Sequence, residues 1–209
     1  NRKTKIQRER ANLEMKVSEA KLEALKSQMN PHFVFNSLNA IQNFVIENDI
    51  DSSLSYMNSF SKLVRRSLDY STKKEISLKE EIDFLKLFVK IQNLRFGNKV
   101  KFKVEKSTKL NFYENYIPPM ILQPIIENSF EHAFSEESVN PEISLSFHVI
   151  ENNLNVILKD NGSGYDSKLK ESSKGLTLIS DRLTLLNPNN TLSVNSNENG
   201  TETHIIFHF

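Results

Sequence analysis

Apolar residues change their spacing near Gly97, and this change limits the possible folds more than any other feature of the chain. Before Gly97 they recur every three or four residues, as on the buried side of a helix. After it, Val100, Phe102 and Val104 alternate with lysines, as in a half-buried strand. We therefore predict an α+β protein, in which a helical part precedes a part that combines helices with antiparallel strands.

The helical part is predicted to begin with a hairpin. A first helix covers most of the first fifty residues, and its early apolar residues fall at heptad-like intervals: Ile6, Leu13, Val17, Ala20 and Ala24. So narrow a stripe favours a dimeric coiled coil, with an isolated solvated helix as the alternative. A polar break at 48–52 then separates it from a second amphipathic helix, which indicates an antiparallel hairpin. The second helix carries these apolar residues on one side: Leu54, Met57, Phe60, Val64 and Leu68.

Further helices and two hairpins complete the predicted elements. Ser77 and Glu80 have the spacing of a capping box, which predicts a third helix that ends near Gly97. Pro118 and Pro119 are expected to open another helix, because proline fits the first helical turn. The rest of the pattern predicts, in order, a hairpin turning at Asn152 and Asn153, a polar loop over 161–174, a helix over 175–186 and a terminal hairpin across Asn199 and Gly200.

The composition excludes several kinds of site and segment. The chain has no cysteine, which excludes disulfides and thiolate metal sites and fits the reducing cytoplasm. No run approaches the roughly 18–20 apolar residues of a membrane-spanning helix, and no signal peptide is recognisable. The basic first thirty residues could face nucleic acid, an anionic membrane or solvent, but no aromatic residues interleave the charges as nucleic-acid binding would favour. Because the chain begins with Asn1, we expect it to be part of a longer protein.

The first group of residues that could carry chemistry surrounds His32. Spacings of three and four residues place a set of polar side chains on one side of the first helix: Gln28, His32, Asn36, Asn39 and Asn43. Pro31 cannot donate to the carbonyl one turn earlier and should bend the helix here. His32 is thus a candidate nucleophile, although a single histidine on a helix is more often an ordinary surface or core residue.

The second group lies on the helix predicted after the proline pair. There the spacing brings a carboxamide, a carboxylate and an imidazole to one side: Asn128, Glu131 and His132. Mg²⁺ favours oxygen ligands of this kind and usually shares them with phosphate oxygens. A solvated helix side explains the same pattern, and Glu131 with His132 does not have the ligand spacing of a zinc site.

The third group is a glycine-rich turn at the end of a predicted strand, with the sequence DNGSGY from residue 160. Gly162 and Gly164 would let the backbone approach a ligand closely, and Asp160 could accept a hydrogen bond from an amino group such as that of adenine. The turn lacks the lysine of a Walker A loop and the acidic positions of an EF-hand. An ordinary β-turn is the simpler alternative.

In their order and spacing, these groups resemble the motifs of sensor histidine kinases of the LytS/YehU-like group, whose ATP-binding domain has the GHKL (Bergerat) fold. QMNPHFVFNSLNAI is similar to the phosphoacceptor box, LQPIIENSFEHAF to the N box, DNGSGYD to the G1 box and GLTLISDRLTLL to the segment after the nucleotide lid. The terminal GTETHIIFHF resembles the closing strands, so the resemblance runs from about Leu25 to Phe209. It implies three parts: a coiled-coil linker helix over 1–24, dimerisation and histidine-phosphotransfer helices over 25–97, and an α/β-sandwich ATP-binding domain over 98–209.

The resemblance also implies ATP and Mg²⁺ as cofactors and gives roles to individual residues. His32 would accept the γ-phosphoryl group, Asn128 would bind Mg²⁺, and Asp160 would bind the adenine amino group. Asn36 is placed to orient the imidazole or a water, and so to take part in dephosphorylation. The nucleotide site would further include Glu127, His132, Gly162, Gly164, Lys174 and Gly175. The implied partners are a second copy of the chain and a response regulator, without nucleic acid, in the cytoplasmic part of a larger bacterial sensor.

Three positions bear on whether the chain is an active kinase. Phe33 follows the acceptor histidine where many other histidine kinases have an acidic residue, so no adjacent general base is evident. Ser173 replaces the first glycine of the family's Gly-x-Gly, although Lys174 could supply compensating charge, and this change leaves open a dimeric scaffold without turnover. Pro124 stands where a hydrolytic glutamate would be expected, which disfavours a GHKL ATPase of the topoisomerase or chaperone type.

Overall fold

The computed structural model describes residues 31–107, 110–135, 138–164 and 174–208. The chain forms two compact units that divide between Lys74 and Glu75. The predicted coiled-coil helix over 1–24 lies outside the described residues. Within the described ranges, no helix has both the length and the apolar character needed to cross a membrane.

In its described part, the first unit is the predicted helical hairpin. Its helices are α1 (Pro31–Ile46) and α2 (Ile50–Ser71). The connection between them is short because Asn48 adopts a left-handed φ of 57°. Asp49 then caps α2, since its carboxylate accepts a hydrogen bond of 3.0 Å from the Ser52 amide.

The buried side of α2 differs from its predicted apolar side. Its buried residues are Ser53, Tyr56, Ser59, Leu63, Ser67 and Tyr70. Two aromatic pairs join α2 to α1, with ring centroids 6.1 and 6.0 Å apart: Phe33 with Phe60, and Phe44 with Tyr56. Leu54 and Met57, from the predicted apolar side, are 54% and 47% exposed. The hairpin therefore leaves part of its apolar surface uncovered.

In its described residues, the second unit combines three helices with two sheets. The helices are α3 (Leu78–Arg95), α4 (Gln123–Asn128) and α5 (Lys174–Leu186), and a π-helical turn (Ser129–Ala133) continues α4. The strands are β1 (Ile76–Ser77), β2 (Lys101–Lys106), β3 (Tyr116–Ile117), β4 (Glu142–Ile150), β5 (Asn153–Asp160), β6 (Thr191–Asn197) and β7 (Gly200–Phe207). β1 pairs with β3, and the larger sheet has the order β2-β4-β5-β7-β6, antiparallel except between β2 and β4.

One face of the larger sheet carries the core of the second unit. Buried residues alternate along β4, β5 and β7, so one face is covered while the other is partly exposed and mostly polar. Fully buried apolar side chains of the helices include Phe84, Leu85, Phe88, Ile91, Ile126, Ile179 and Leu183. Helices on one side of a largely antiparallel sheet form the α/β sandwich that the sequence predicted.

Both predicted hairpins are present, but each turns one residue earlier than expected. Ile150 pairs with Asn153, so the turn between β4 and β5 consists of Glu151 and Asn152. Both turn residues have a left-handed φ, of 49° and 68°, as a two-residue type I′ turn requires. The turn between β6 and β7 is displaced in the same direction, since Asn197 pairs with Gly200.

α3 begins at the predicted capping box but packs with the second unit. Ser77 Oγ accepts from the Glu80 amide at 3.2 Å, and the Glu80 carboxylate accepts from the Ser77 amide at 2.9 Å. The sequence placed a domain boundary near Gly97, whereas the compact units divide before β1. The apolar spacing changes at Gly97 because the secondary structure changes there, while the buried side of α3 contributes to the core of the elements that follow it.

α4 begins at Gln123, later than the helix predicted from Pro118 and Pro119. Those prolines lead instead into a turn in which Met120 has a left-handed φ of 56°. Pro124 is the proline at the start of the helix, where its missing N–H costs no helical hydrogen bond. The sequence could not distinguish the two prolines that precede the turn from the one that follows it.

Candidate functional site

The described part of α1 contains two of the predicted site residues. His32 is the second residue of α1, and its side chain lies outside what the structure describes. Asn36 is one helical turn later and is partly buried, while Asn39 and Asn43 are exposed. Phe33 is buried at 3% exposure, whereas Phe35 and Leu38 are 67% and 48% exposed and Ser37 is buried, so polar and apolar side chains do not separate cleanly around α1.

Asn128 stands where α4 passes into the π-helical turn. It is the last residue of α4 and is partly exposed, whereas its neighbour Glu127 is buried. His132 is exposed, with its Nε2 4.0 Å from Glu131 Oε2. π-Helical turns occur frequently at functional sites, because the extra residue redirects the side chains that follow. The sequence did not predict this interruption and placed Asn128, Glu131 and His132 on one side of a regular helix. In the structure Glu131 and His132 are exposed and Asn128 is partly exposed.

Asp160 connects the three elements that meet at the site. It is the last residue of β5 and is 4% exposed. Its Oδ1 accepts from the amides of Gly162 at 3.1 Å and Thr201 at 3.2 Å, and its Oδ2 accepts from Ser129 Oγ at 2.8 Å. A carboxylate has about four lone-pair positions, so three protein donors leave room for one more. The carboxylate is thus fixed in place and can still accept from an amino group.

The glycines after Asp160 are needed because the turn lies against the protein's own backbone. A Cβ on Gly162 would collide with the Cβ and carbonyl of Ala133, which accepts from the Ser163 amide at 3.1 Å. A Cβ on Gly164, whose φ is 62°, would collide with the carbonyl of Asn197. The sequence explained these glycines by the approach of a ligand. The structure shows contacts with Ala133 and Asn197 that need them even without a ligand.

The start of α5 lies close to the start of α4. A Cβ on Gly175 would lie 3.9 Å from Pro124 Cβ, which is an ordinary contact. Gly175 therefore lies beside the helix that carries Asn128. The Lys174 side chain and residues 165–173, with the substituted Ser173, lie outside the described residues.

A cleft of about 300 Å³ opens between the end of the π-helical turn and the glycine turn. Its lining includes His132, Phe134, Pro141, Asn161 and Gly162. Asn128 and Asp160 do not line this cleft. The cleft therefore lies beside these two residues and does not include them.

The described residues fit a magnesium ion that is bound together with phosphates. They contain no group of three or more His, Cys, Asp or Glu that could hold a metal by itself. Mg²⁺ usually takes one or two protein oxygens and completes its shell with phosphate oxygens and water. The Asn128 carboxamide can supply one such oxygen from its partly exposed position.

The sequence did not identify four residues that shape this site. Ser129 and Thr201 hold the Asp160 carboxylate, and both lie next to recognised motif positions, which was the available signal. Glu81 and Arg182 hold the turn before α4 from far away in the chain. Burial raises the pKa of Glu81 to about 7. The hydrogen bonds from the amides of Met120 and Leu122 and the positive charge of Arg182 act in the opposite direction and lower this pKa, but by less.

Comparison with known proteins gives a consistent family. Residues 20–100 match the histidine kinase family. The chain is 29% identical to the sensor protein LytS of Oceanobacillus iheyensis over 73% of this chain and 26% of LytS. It is 28% identical to the sensor histidine kinase YpdA of Escherichia coli over 81% of this chain and 29% of YpdA. It is 30% identical to the sensor protein kinase HptS of Staphylococcus aureus over 74% of this chain and 29% of HptS. The chain thus spans under a third of the length of these relatives.

Solved structures show the same fold at low identity. The histidine kinase domain of a blue-light activated kinase from Erythrobacter litoralis has a TM-score of 0.52 at 17% identity, covering 92% of this chain and 95% of that one. The histidine kinase AdeS of Acinetobacter baumannii has a TM-score of 0.52 at 12% identity, with 92% and 93% covered. The catalytic domain of the histidine kinase ThkA has a TM-score of 0.51 at 16% identity, with 64% and 94% covered.

Proposed function

Because the chain belongs to the sensor histidine kinases of the LytS/YehU-like group, we propose that it is the kinase part of a two-component sensor that phosphorylates its own His32 from ATP. The phosphoryl group then passes to an aspartate of a response regulator, and the reaction takes place in the cytoplasm. The observation that carries this proposal is the Asp160 carboxylate, which is fixed by three donors, one of which is Ser129, the residue that directly follows Asn128.

In this proposal Asp160 and Asn128 act on opposite ends of the nucleotide. Asp160 accepts from the adenine amino group through its remaining lone pair. Asn128 offers its carboxamide oxygen to Mg²⁺, which neutralises phosphate charge when bound. The remaining nucleotide-site residues are Glu127, His132, Gly162, Gly164, Lys174 and Gly175. Since Ser129 connects the strand end to the helix, the two binding groups keep a fixed separation.

The chemical step needs little covalent work from the protein. Phosphoryl transfer requires the attacking nitrogen in line with the γ-phosphorus and compensation of the charge on the phosphate oxygens. The His32 nitrogen that attacks must be unprotonated, a form that imidazoles readily adopt near neutral pH. Asn36, one turn along α1, has a proposed role in orienting the imidazole or a hydrolytic water.

The uncovered apolar surface of the hairpin supports a homodimer. Exposed apolar side chains run along both helices: Phe35, Leu38, Val45, Ile46, Ile50, Leu54 and Met57. On α2 the spacing of Ile50, Leu54 and Met57 is four and then three residues, which suits a seam between packed helices. Two hairpins that share this surface would form a four-helix bundle.

Incubation with γ-labelled ATP and Mg²⁺ tests the kinase proposal. We expect acid-labile, alkali-stable label on the wild type and on His148→Ala, which removes a histidine from the outer side of β4, but not on His32→Ala. Asp160→Asn should prevent labelling by weakening nucleotide binding. Label on His32→Ala would contradict the proposal, and an unchanged label lifetime in Asn36→Ala would contradict the role of Asn36.

The replaced glycine motivates one competing function. A dimeric scaffold would bind nucleotide and show no label on His32. In that case Ser173→Gly is the first change to test, because it restores the glycine pair of the family. Recovery of label in this variant would show that the substitution alone had stopped turnover.

A further inference from the structure

Glu81 is a buried carboxylate with no part in the proposed chemistry. It lies in the first turn of α3 and has 0% exposure. Its two oxygens accept separate hydrogen bonds, one of 2.8 Å from the Met120 amide and one of 3.2 Å from the Leu122 amide. Burying a carboxylate is costly unless strong hydrogen bonds compensate, so both bonds should matter for the position of this turn.

The turn that Glu81 holds leads directly into the helix of Asn128. Leu122 is the N-cap residue of α4, and no side chain of its own segment caps the helix. Pro124 has no N–H to contribute. Glu81, 41 residues earlier, thus supplies the acceptor that the local sequence does not provide.

Arg182 holds the same turn from a second helix. Its Nη2 donates to the Pro119 carbonyl at 3.0 Å, and its positive charge favours the ionised form of the Glu81 carboxyl group. Arg182 belongs to α5, which follows residues 165–173. The turn Pro118–Leu122 is therefore fixed between α3 and α5, and α4 extends from it.

We propose that Glu81, assisted by Arg182, is a positioning residue for the metal-binding end of the nucleotide site. α4 has only six residues, so Asn128 lies about 9 Å along the axis from the N-cap. A shift of the turn would move Asn128 relative to the phosphates. It would disturb Asp160 less, because Asp160 is held by Gly162 and Thr201 as well as by Ser129. The inference rests on the proposed function, since it assumes Asn128 as the Mg²⁺ ligand.

The test compares nucleotide binding with and without metal. ADP affinity is measured by calorimetry in Mg²⁺ and in EDTA, and the ratio of the two affinities reports the metal contribution. Glu81→Gln keeps the shape of the side chain but leaves only one oxygen that can accept a hydrogen bond. The new NH₂ group would face a backbone N–H, and two donors cannot form a hydrogen bond with each other. We expect this ratio to fall about tenfold in Glu81→Gln, the size of one lost hydrogen bond to a charged group, with ADP binding in EDTA nearly unchanged. Asp83→Asn is the matched control, since it removes a partly exposed α3 carboxylate that pairs with Lys79, and its ratio should equal that of the wild type.

Each outcome decides a different point. A folded Glu81→Gln with the wild-type ratio would overturn the positioning role and leave the kinase proposal intact. Absence of ADP binding by the wild type would overturn the proposed function and this inference with it. If Glu81→Gln does not fold, Arg182→Met decides: a lowered ratio supports the inference, and a wild-type ratio rejects it. Circular dichroism establishes folding for every variant.

Discussion

At the scale of single residues, the site depends on carboxylates that protein donors hold in place. Asp160 receives one side-chain and two backbone hydrogen bonds, and Glu81 receives two backbone hydrogen bonds. Hydrogen bonds to a charged acceptor are stronger than neutral ones, but for Glu81 they offset the cost of burial only in part, because its pKa is still raised to about 7. The two carboxylates differ in their proposed task. Asp160 keeps a lone pair for the nucleotide, whereas Glu81 acts on the backbone before α4.

The buried position of Glu81 predicts a specific dependence of stability on pH. Its pKa is raised from 4.5 to about 7, so between these values the folded protein holds a proton that the unfolded chain has released. Its contribution to the free energy of unfolding is therefore complete below about pH 4.5 and is lost as the pH rises through about 7. The loss is at most about 1.4 kcal/mol per pH unit.

Urea unfolding at several pH values measures this contribution. The wild-type free energy of unfolding minus that of Glu81→Gln should decrease from pH 5 to pH 7 and stay constant above pH 8. The variant serves as the reference because all other titrating groups are common to both proteins. A difference that does not vary with pH would show that Glu81 titrates normally in the folded state.

At the scale of elements, the close approach of the glycine turn to the π-helical turn decides which glycines can be replaced. In Gly162→Ala the new methyl group would meet the Ala133 backbone, which cannot move without distorting the turn. We expect a loss of about 2 kcal/mol in the free energy of unfolding, as for other overpacked positions. Gly175→Ala is the control, because its methyl group would meet only Pro124 Cβ at 3.9 Å and alanine favours a helix. Equal effects of the two variants in thermal unfolding would contradict this explanation.

The sequence predicted those elements whose signals are local. The capping box of α3, the alternation in β4 and β5 and the polar break at Asn48 each lie within a few residues, and each was read correctly. The start of α4 was wrong because the acceptor that shapes its first turn comes from Glu81. A hydrogen bond over 41 residues leaves no pattern in the spacing of apolar side chains.

At the scale of the whole molecule, the motif order correctly predicted the α/β sandwich and the family, while the division into compact units depended on packing. α3 continues the helical spacing of the hairpin, so the sequence grouped it with the first unit, yet its buried side belongs to the second. The roles of His32 and Asn128 stay predictions, because the structure gives positions and no chemistry. Ser129 and Arg182 were missed because their contacts come from the tertiary fold.

The largest prediction at this scale concerns the hairpin of the first unit. Its two helices leave Leu54 and Met57 about half exposed, and a pair of helices with one open apolar side gains stability by burying that side. We expect the wild type to be a dimer at micromolar concentration and the double variant Leu54→Glu, Met57→Glu to be a monomer. Ser55→Glu adds a charge at an exposed position that lies roughly 100° around α2 from Leu54, and this variant should remain dimeric.

Light scattering after size-exclusion chromatography gives the mass of each variant. Four glutamates facing one another in the dimer would combine desolvation with like-charge repulsion, so the double variant cannot pair as the wild type does. Circular dichroism should show reduced helix content in the monomer, because an isolated hairpin buries too little apolar surface to hold both helices. A dimeric double variant would move the interface away from Leu54 and Met57, and a monomeric wild type would remove the proposed four-helix bundle altogether.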